Sequence, residues 1–340
     1  MTKSIIIKKN GGPEVLELQD VTVGSPGPDE IKVTNHAIGL NYIDTYHRSG
    51  LYPLPLPSGI GLEAAGKIDE VGSDVTEFSK GDNIAYASTP IGSYSQQRII
   101  PAKNVVKIPG GISYELAATL MTKGLTTHYL ICKTYKLQAG ETILFHAAAG
   151  GVGTALTQIA KAKGCEVYGL TSSEAKFDYL KSNGVDFPIN LSSSDYHEQF
   201  MKLTNGNKAD VIFNSIGGES IKEDMRILSV SGRLVNYGAA SISGKKPNLF
   251  TLLSLLRKTG KIKPLKLLGK SSGIIGVNML SVGDVKPEVV SECMTQVVQL
   301  MKDNPSIKPI SGGEFSVDEI TKAHDLLASR KSTGKIGVRW

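Results

Sequence analysis

The stretch "LFHAAAGGVGTALTQIAKAKGC", from Leu144 to Cys165, constrains this chain more than any other. An apolar, strand-forming run leads into Gly150, Gly151 and Gly153, and the residues beyond them follow helical spacing. Ala148-x-Gly150-x-x-Gly153 is the spacing by which a strand-to-helix turn brings backbone N–H groups up to a pyrophosphate, with alanine in the place of the first glycine. A buried strand of this kind needs parallel neighbours, so an α/β sheet must surround it.

The sequence downstream supplies them. From Glu141 onward "ETILFHA", "EVYGL", "FPIN", "ADVIFNS", "GRLVNYG" and, after an interruption, "GIIGVNML" read as strands. Between them lie helical stretches at 151–164, "SEAKFDYLKSNG", "DYHEQFMKLTNG" and "ESIKEDMRILS". Six strands with intervening helices predict a doubly wound parallel sheet, the α/β class. The first 120 residues read instead as strands and loops, with "LYPLPLPSG" forced to be irregular by its prolines. From about Lys286 the chain offers a helix, a short strand, a second helix and the strand "GKIGVRW", which we read as a return to complete the first domain.

A length of 340 residues fits two domains. No apolar run approaches the roughly 18–20 residues that cross a bilayer, and the N-terminus lacks the apolar core of a secretory signal. Cys132, Cys165 and Cys293 lie far apart, which excludes a disulfide framework or a Cys-x-x-Cys knuckle and suits a reducing, cytoplasmic setting. The net charge of +6 is uneven: Met225 to Gly283 holds ten Lys and Arg and no acid. A solvated face is the simpler reading of that asymmetry, and nothing points to DNA.

The end of the second strand selects the dinucleotide. Where NAD-binding chains place an acid for the ribose 2′-OH, this one has "GLTSSEAK". Thr171, Ser172 and Ser173 offer hydroxyls, and Lys176 follows one turn later, so NADP(H) is expected over NAD(H). Glu174 opposes that choice unless it points away.

"KNGGPEVLEL", "NYIDTYHRSGLYP", "SGIGLEAAGKIDEVG", "KGLTTHYL", "HAAAGGVG" and "SSGIIGVNML" together resemble the zinc-free, zeta-crystallin-like quinone oxidoreductases of the medium-chain dehydrogenase/reductase superfamily, over nearly the whole chain. The resemblance implies a GroES-like β-barrel domain over 1–121, completed by 282–340, and a Rossmann domain over 122–281, with NADPH between them. It implies that Asn41, Tyr46 and Tyr52 line the nicotinamide and quinone end, with Thr126 at the nicotinamide. Gly150, Gly151, Val152 and Gly153 would hold the pyrophosphate, and Ser172 and Lys176 the 2′-phosphate. Tyr237, Gly238 and Ala239 would flank the ribose, and Ile275, Gly276 and Val277 would face the carboxamide. Leu191 departs from the tyrosine that bacterial relatives often place near the 2′-phosphate. Residues 242–270 are longer and more basic than in the compact bacterial enzymes, more like the synaptic-vesicle-membrane-protein branch.

Zinc members of that superfamily need cysteine and Gly-His-Glu ligands, and this chain has Asn41 and Gly61-Leu62-Glu63 there; no metal is expected. A substrate reduced without a metal must accept hydride readily, as a quinone does. Tyr46 and Tyr52 are neutral donors at pH 7, suited to orienting a quinone oxygen. His47 reads as an inert surface histidine, His146 as bonded locally to backbone, and Asp44 as a helix cap. The alternatives are a 2-alkenal or enoyl reductase on the same frame, or a non-enzymatic NADPH-binding protein associated with membrane or RNA. The apolar edge strand at 273–280 predicts a homodimer. The insertion 245–270, with Phe250, Leu252, Leu253, Leu255 and Leu256 among eight basic residues, is read as a lid in preference to a membrane-surface contact.

Overall fold

Strand β3 (Glu30–Gly39) shows how the first unit is built: Ile31, Val33 and Asn35 are buried while their neighbours are not, the period-two pattern of a half-covered sheet. A computed structural model describes residues 1–87, 89–192, 195–242, 262–303, 311–329 and 331–340. The chain divides into two compact units, Met1–His128 with Met279–Trp340, and Tyr129–Asn278.

In the first unit β1 (Thr2–Ile7), β2 (Glu17–Val21) and β4 (Ser58–Gly59) form a three-stranded sheet. A seven-stranded sheet holds β3, β5 (Glu63–Val71), β6 (Asn83–Ala87), β7 (Gln97–Pro101) and β8 (Val106–Lys107). Ile5, Ile7, Ile31, Val33, Ile68, Ile84 and Ile100 meet in its core. β15 (Ser311–Ser316) and β16 (Lys335–Arg339), near the C-terminus, extend that sheet, β16 pairing with β3, and Ile336 and Val338 enter the same core.

Two helices complete this unit's working parts. α1 (Tyr42–Ser49) falls in a region that reads as strands and loops. Its signal is a cap: the Asp44 carboxylate accepts from the Asn41 N–H at 2.8 Å, and Gly50 ends the helix at φ 78. α2 (Tyr114–His128) packs on β3, β5, β6 and β16 and runs through residue 121 within this unit.

The second unit is the doubly wound sheet that the sequence predicts. β9 (Thr142–Phe145), β10 (Glu166–Thr171), β11 (Phe187–Asn190), β12 (Ala209–Asn214), β13 (Leu228–Asn236) and β14 (Gly273–Gly276) are all parallel, in the order β11-β10-β9-β12-β13-β14. Helices α3 (Gly151–Ala162), α4 (Phe177–Ser182), α5 (Tyr196–Leu203) and α6 (Ser220–Ile227) connect them. Both faces are covered. Ile143 and Phe145 of β9 join one apolar cluster while Leu144 joins another, and Val211 and Phe213 of β12 divide from Ile212 in the same way. The strand order reverses between β9 and β12, where such sheets bind their ligands.

The sixth strand is shorter than "GIIGVNML" suggests. It ends at Gly276, and Met279–Val285 is helical. Of the insertion 245–270 read as a lid, residues 245–261, and with them Phe250, Leu252, Leu253, Leu255 and Leu256, lie outside the described residues. Its described end is a helix, Pro264–Lys270, on which Leu265 and Leu268 are exposed.

Candidate active site

The glycine loop sits where β9 gives way to α3. Ala147 takes a left-handed φ of 49, and its carbonyl accepts from the Gly150 N–H at 2.9 Å, which closes the turn. Gly153 is needed for space. A Cβ there would lie 2.6 Å from the Ala147 carbonyl oxygen and 2.7 Å from Ala148 Cα, so α3 starts closer to the strand than any side chain permits. The first-turn N–H groups at Gly151, Val152 and Gly153 precede any i−4 helical carbonyl and form a cradle for an anion. Ala148, at the place of the first glycine, is buried and its N–H bonds Leu170.

The end of β10 carries the residues that select the dinucleotide. Ser172 is exposed, Ser173 caps the following turn through the Ala175 N–H, and Lys176 is half-buried at the start of α4. Burial lowers the Lys176 ammonium from its ordinary value. Glu174 is held by the Asn190 amide at 3.2 Å. Leu191, beyond β11, is exposed.

At the end of β13 the Tyr237 N–H bonds the Asn214 carbonyl at 2.9 Å, and burial raises its phenol to about 12. A Cβ on Gly238 would lie 2.4 Å from the Ser215 carbonyl oxygen, and Ala239 follows. Ile275 and Gly276 pair with Val235 and Asn236, and the Val277 N–H bonds the Asn236 carbonyl. Gly150–Gly153, Ser172, Lys176, Tyr237–Ala239 and Ile275–Val277 thus lie at or just beyond the carboxyl ends of β9, β10, β13 and β14. A glycine loop that excludes a Cβ, open helix N–H groups and a lysine at the second strand end suit a dinucleotide phosphate group.

The loop is braced from below by a cluster the sequence does not announce. His146 lacks the local backbone partner expected of it: its Nε2 lies 2.9 Å from Asp224 Oδ1 on α6. Tyr196 donates to the same carboxylate at 2.8 Å, and Asn214 Nδ2 at 2.5 Å. All but Tyr196 are almost fully buried, and they tie the ends of β9 and β12 to α5 and α6.

In the first unit Tyr46 is buried on α1, its ring 5.5 Å from that of Tyr42 and 5.3 Å from that of Tyr52. Thr126 lies on α2. Asn41, ahead of α1, belongs to a buried polar cluster. Its Nδ2 donates to Glu63 Oε2 at 2.9 Å and to Thr122 Oγ1 at 3.2 Å, and its Oδ1 accepts from Lys335 Nζ at 2.5 Å. Lys335 also bonds Glu63 Oε2 at 2.7 Å, and the Thr122 N–H bonds Glu63 Oε1 at 2.7 Å. Asp44 is indeed the cap, but Tyr94 donates to it as well at 2.7 Å, and Tyr94 meets His324, which meets Arg48. Burial pushes the Asp44 carboxyl up to about 6 and the His324 imidazole down to about 3. His47 is not the surface residue the sequence suggests: it is buried on α1, and burial lowers it to about 4.

A catalytic zinc does not fit these residues. Leu62 is buried and has no donor, the Asn41 amide is committed to Glu63, Thr122 and Lys335, and no group of three His, Cys, Asp or Glu among the described residues could hold a metal.

Residues 27–110 match the alcohol dehydrogenase GroES-like domain, and residues 151–303 the domain described as a zinc-binding dehydrogenase. A quinone oxidoreductase of Pseudomonas aeruginosa is 39% identical over 98% of both chains. The crystal structure of Escherichia coli quinone oxidoreductase complexed with NADPH superposes with a TM-score of 0.87 at 34% identity, covering 99% of this chain and 100% of that one. A 2-haloacrylate reductase of Burkholderia sp is 38% identical over 71% of this chain and 74% of its own.

Proposed function

The chain belongs to the quinone oxidoreductases of the medium-chain dehydrogenase/reductase superfamily, and from that premise we infer that it catalyses the NADPH-dependent reduction of quinones without a metal. The observation that carries this reading is a dinucleotide loop at the switch point of the sheet that leaves no room for a Cβ at Gly153, in a chain whose zinc-ligand position is occupied by Leu62. Overall, NADPH, a proton and the quinone give NADP⁺ and the hydroquinone.

Bound NADPH supplies the hydride. The protein's own part is to bind and orient. The N–H groups of Gly151, Val152 and Gly153 and the N-terminal end of α3 face the pyrophosphate. Ser172 and Lys176 take the 2′-phosphate; Glu174, tied to Asn190, stays out of the way. Tyr237, Gly238 and Ala239 flank the ribose, while Ile275, Gly276 and Val277 offer backbone to the carboxamide. Thr126 and Asn41 bound the nicotinamide end. Tyr46 and Tyr52, whose rings lie side by side, orient the quinone oxygen.

Unsaturated carbonyl compounds call for the same hydride delivery, and the likeness to a 2-haloacrylate reductase keeps them as second substrates. Likeness over the full length to quinone oxidoreductases favours quinones. β14 is the edge of its sheet and bears the half-buried Ile274 and Ile275, so two copies pair there as a homodimer. No described helix is long and apolar enough to cross a membrane, and a cytoplasmic location accords with three free cysteines. Steady-state oxidation of NADPH with 1,4-benzoquinone, 9,10-phenanthrenequinone and an alkenal tests the assignment. Turnover of the quinones supports it, and turnover of the alkenal alone replaces it with the second reading.

A further inference from the structure

The turn between β12 and α6 has no role above, yet the segment that flanks the ribose rests on it. Gly217 and Gly218 both take left-handed φ, 67 and 66, so the chain reverses sharply just beyond the carboxyl end of β12. The Ser215 carbonyl accepts from the Ala240 N–H at 3.3 Å, and the Ile216 carbonyl from the Ser241 N–H at 2.9 Å. A Cβ on Gly217 would lie 3.0 Å from the Gly238 carbonyl oxygen, and the Tyr237 phenol bonds Ser215. Where this turn sits therefore decides where Tyr237, Gly238 and Ala239 sit.

One side chain holds the turn, and all its polar atoms are committed. Asn214, wholly buried, accepts at Oδ1 from the Ile216 N–H at 2.7 Å and the Gly217 N–H at 2.9 Å. Its Nδ2 donates to Ser220 Oγ at 2.8 Å and to Asp224 Oδ2 at 2.5 Å. Ser220 gives its own proton to the Gly217 carbonyl at 2.9 Å, which leaves its oxygen to accept. A backbone N–H only donates and a carboxylate only accepts, so the amide fits in one orientation. Turned over, it would set Oδ1 against Asp224 and Nδ2 against two N–H groups. Asp224 is held in turn at Oδ1 by His146 from the end of β9 and Tyr196 from α5. Of the acids nearby, Glu223 pairs with Arg226 at 2.6 Å and Asp195 caps α5 through the His197 N–H.

We propose that Asp224 is a positioning residue for the cofactor: by fixing the Asn214 amide it holds the turn 215–218, and through that turn the segment 237–239, in place against the ribose. The inference rests on the cofactor site assigned above. Both side chains are wholly buried, so they act through the backbone and not on the ligand. The match is one of donor to acceptor and not of volume, so exchanging the two side chains preserves it. In the double variant Asn214→Asp, Asp224→Asn the carboxylate at 214 still accepts from Ile216 and Gly217. The amide at 224 donates to that carboxylate, and its oxygen still accepts from His146 and Tyr196. In Asn214→Asp alone, two carboxylate oxygens meet at the present 2.5 Å. At low pH they share a proton that stands in for the amide N–H, and they repel once it is lost.

The test is the dissociation constant of NADPH and of NADH from pH 5.5 to 9 by fluorescence titration, with KM, kcat and Tm alongside. Each variant is read as a ratio to wild type, so that the cofactors' own titration cancels. Asn214→Asp binds both cofactors within about threefold of wild type at pH 5.5 and roughly tenfold or more weaker at pH 9. With 1,4-benzoquinone as acceptor the loss falls on KM for NADPH and not on kcat. The double variant stays within about threefold at every pH. Ser220→Ala removes one acceptor of the amide, leaves both acids alone and weakens both cofactors by about threefold or more; it decides the matter if Asn214→Asp does not fold. A lowered Tm with both affinities unchanged at pH 9, a double variant as weak as the single one, or Ser220→Ala binding as wild type does, overturns the proposal. Wild type that binds neither NADPH nor NADH overturns instead the cofactor site on which it rests.

Discussion

Gly153→Ala separates a steric account of the nucleotide loop from an account by propensity alone. Gly153 has no left-handed φ, so alanine meets no backbone penalty there, and in a helix it is favoured over glycine by about 1 kcal/mol. Propensity alone predicts a more stable protein. The structure predicts the opposite. The new methyl would lie 2.6 Å from the Ala147 carbonyl oxygen, 2.7 Å from Ala148 Cα and 2.8 Å from the Ala148 carbonyl oxygen, all backbone atoms that cannot swing aside. Overpacking of this kind costs roughly 1–3 kcal/mol. If α3 holds its place, the loss appears as a Tm lower by about 2–4 °C per kcal/mol. If α3 retreats, its N–H groups retreat from the pyrophosphate and affinity falls by about 5- to 150-fold. Both cofactors share the pyrophosphate, so NADPH and NADH must weaken by the same factor. Thermal unfolding together with fluorescence titration of each cofactor reads both terms. A Tm and two dissociation constants unchanged, or a protein made more stable, would refute the reasoning.

Lys176→Ala should weaken NADPH by roughly tenfold or more, a charge-assisted bond being worth about 1.5–3 kcal/mol, with NADH barely affected; equal losses in parallel titrations would remove Lys176 from the 2′-phosphate. Chelator should leave quinone reduction intact and metal analysis should find no stoichiometric zinc, because Leu62 offers no ligand; one zinc per chain with activity lost on chelation contradicts this. Light scattering at micromolar concentration should give a dimer, and a monodisperse monomer would rule out pairing through β14. His47 and His324 fold neutral, held near 4 and 3 by burial, so the unfolded chain takes up protons first as the pH falls below 6.5. The contribution of the two histidines is full above about pH 6.5 and is lost between there and pH 4, each accounting for roughly 3 kcal/mol or more, while Asp44, raised to about 6, acts in the opposite sense over the same range; His47→Gln should remove its share of that fall in urea titrations.

The parts of this chain legible in its sequence are those whose partners lie close by. β9, the glycine loop and α3 are contiguous, and the alternation of strands and helices after Glu141 shows the parallel sheet without any tertiary knowledge. Leu62 excludes a zinc ligand by identity alone. α1 was hidden in a stretch rich in Tyr, Ile and Thr, though Asn41 with Asp44 three residues on and Gly50 behind gives its cap. Burial is harder to read than identity. His47 looks exposed because its neighbours are polar, yet Asp44, Thr45 and Arg48 are buried with it. His146 finds its partner on a helix 78 residues away. The Asn41 cluster is least legible of all, since Lys335 reaches Asn41 across 294 residues and nothing in "STGKIGVRW" marks that lysine. Only the return of β16 beside β3 brings it there.

The central claim, metal-independent hydride transfer from NADPH to a quinone, is tested most directly by following NADPH oxidation with a quinone panel, beside NADH and in the presence of chelator. Quinones should turn over with NADPH, at a much higher kcat/KM than with NADH and with no loss on chelation. Oxidation that needs added zinc, or none with any quinone while NADPH binds, would contradict it.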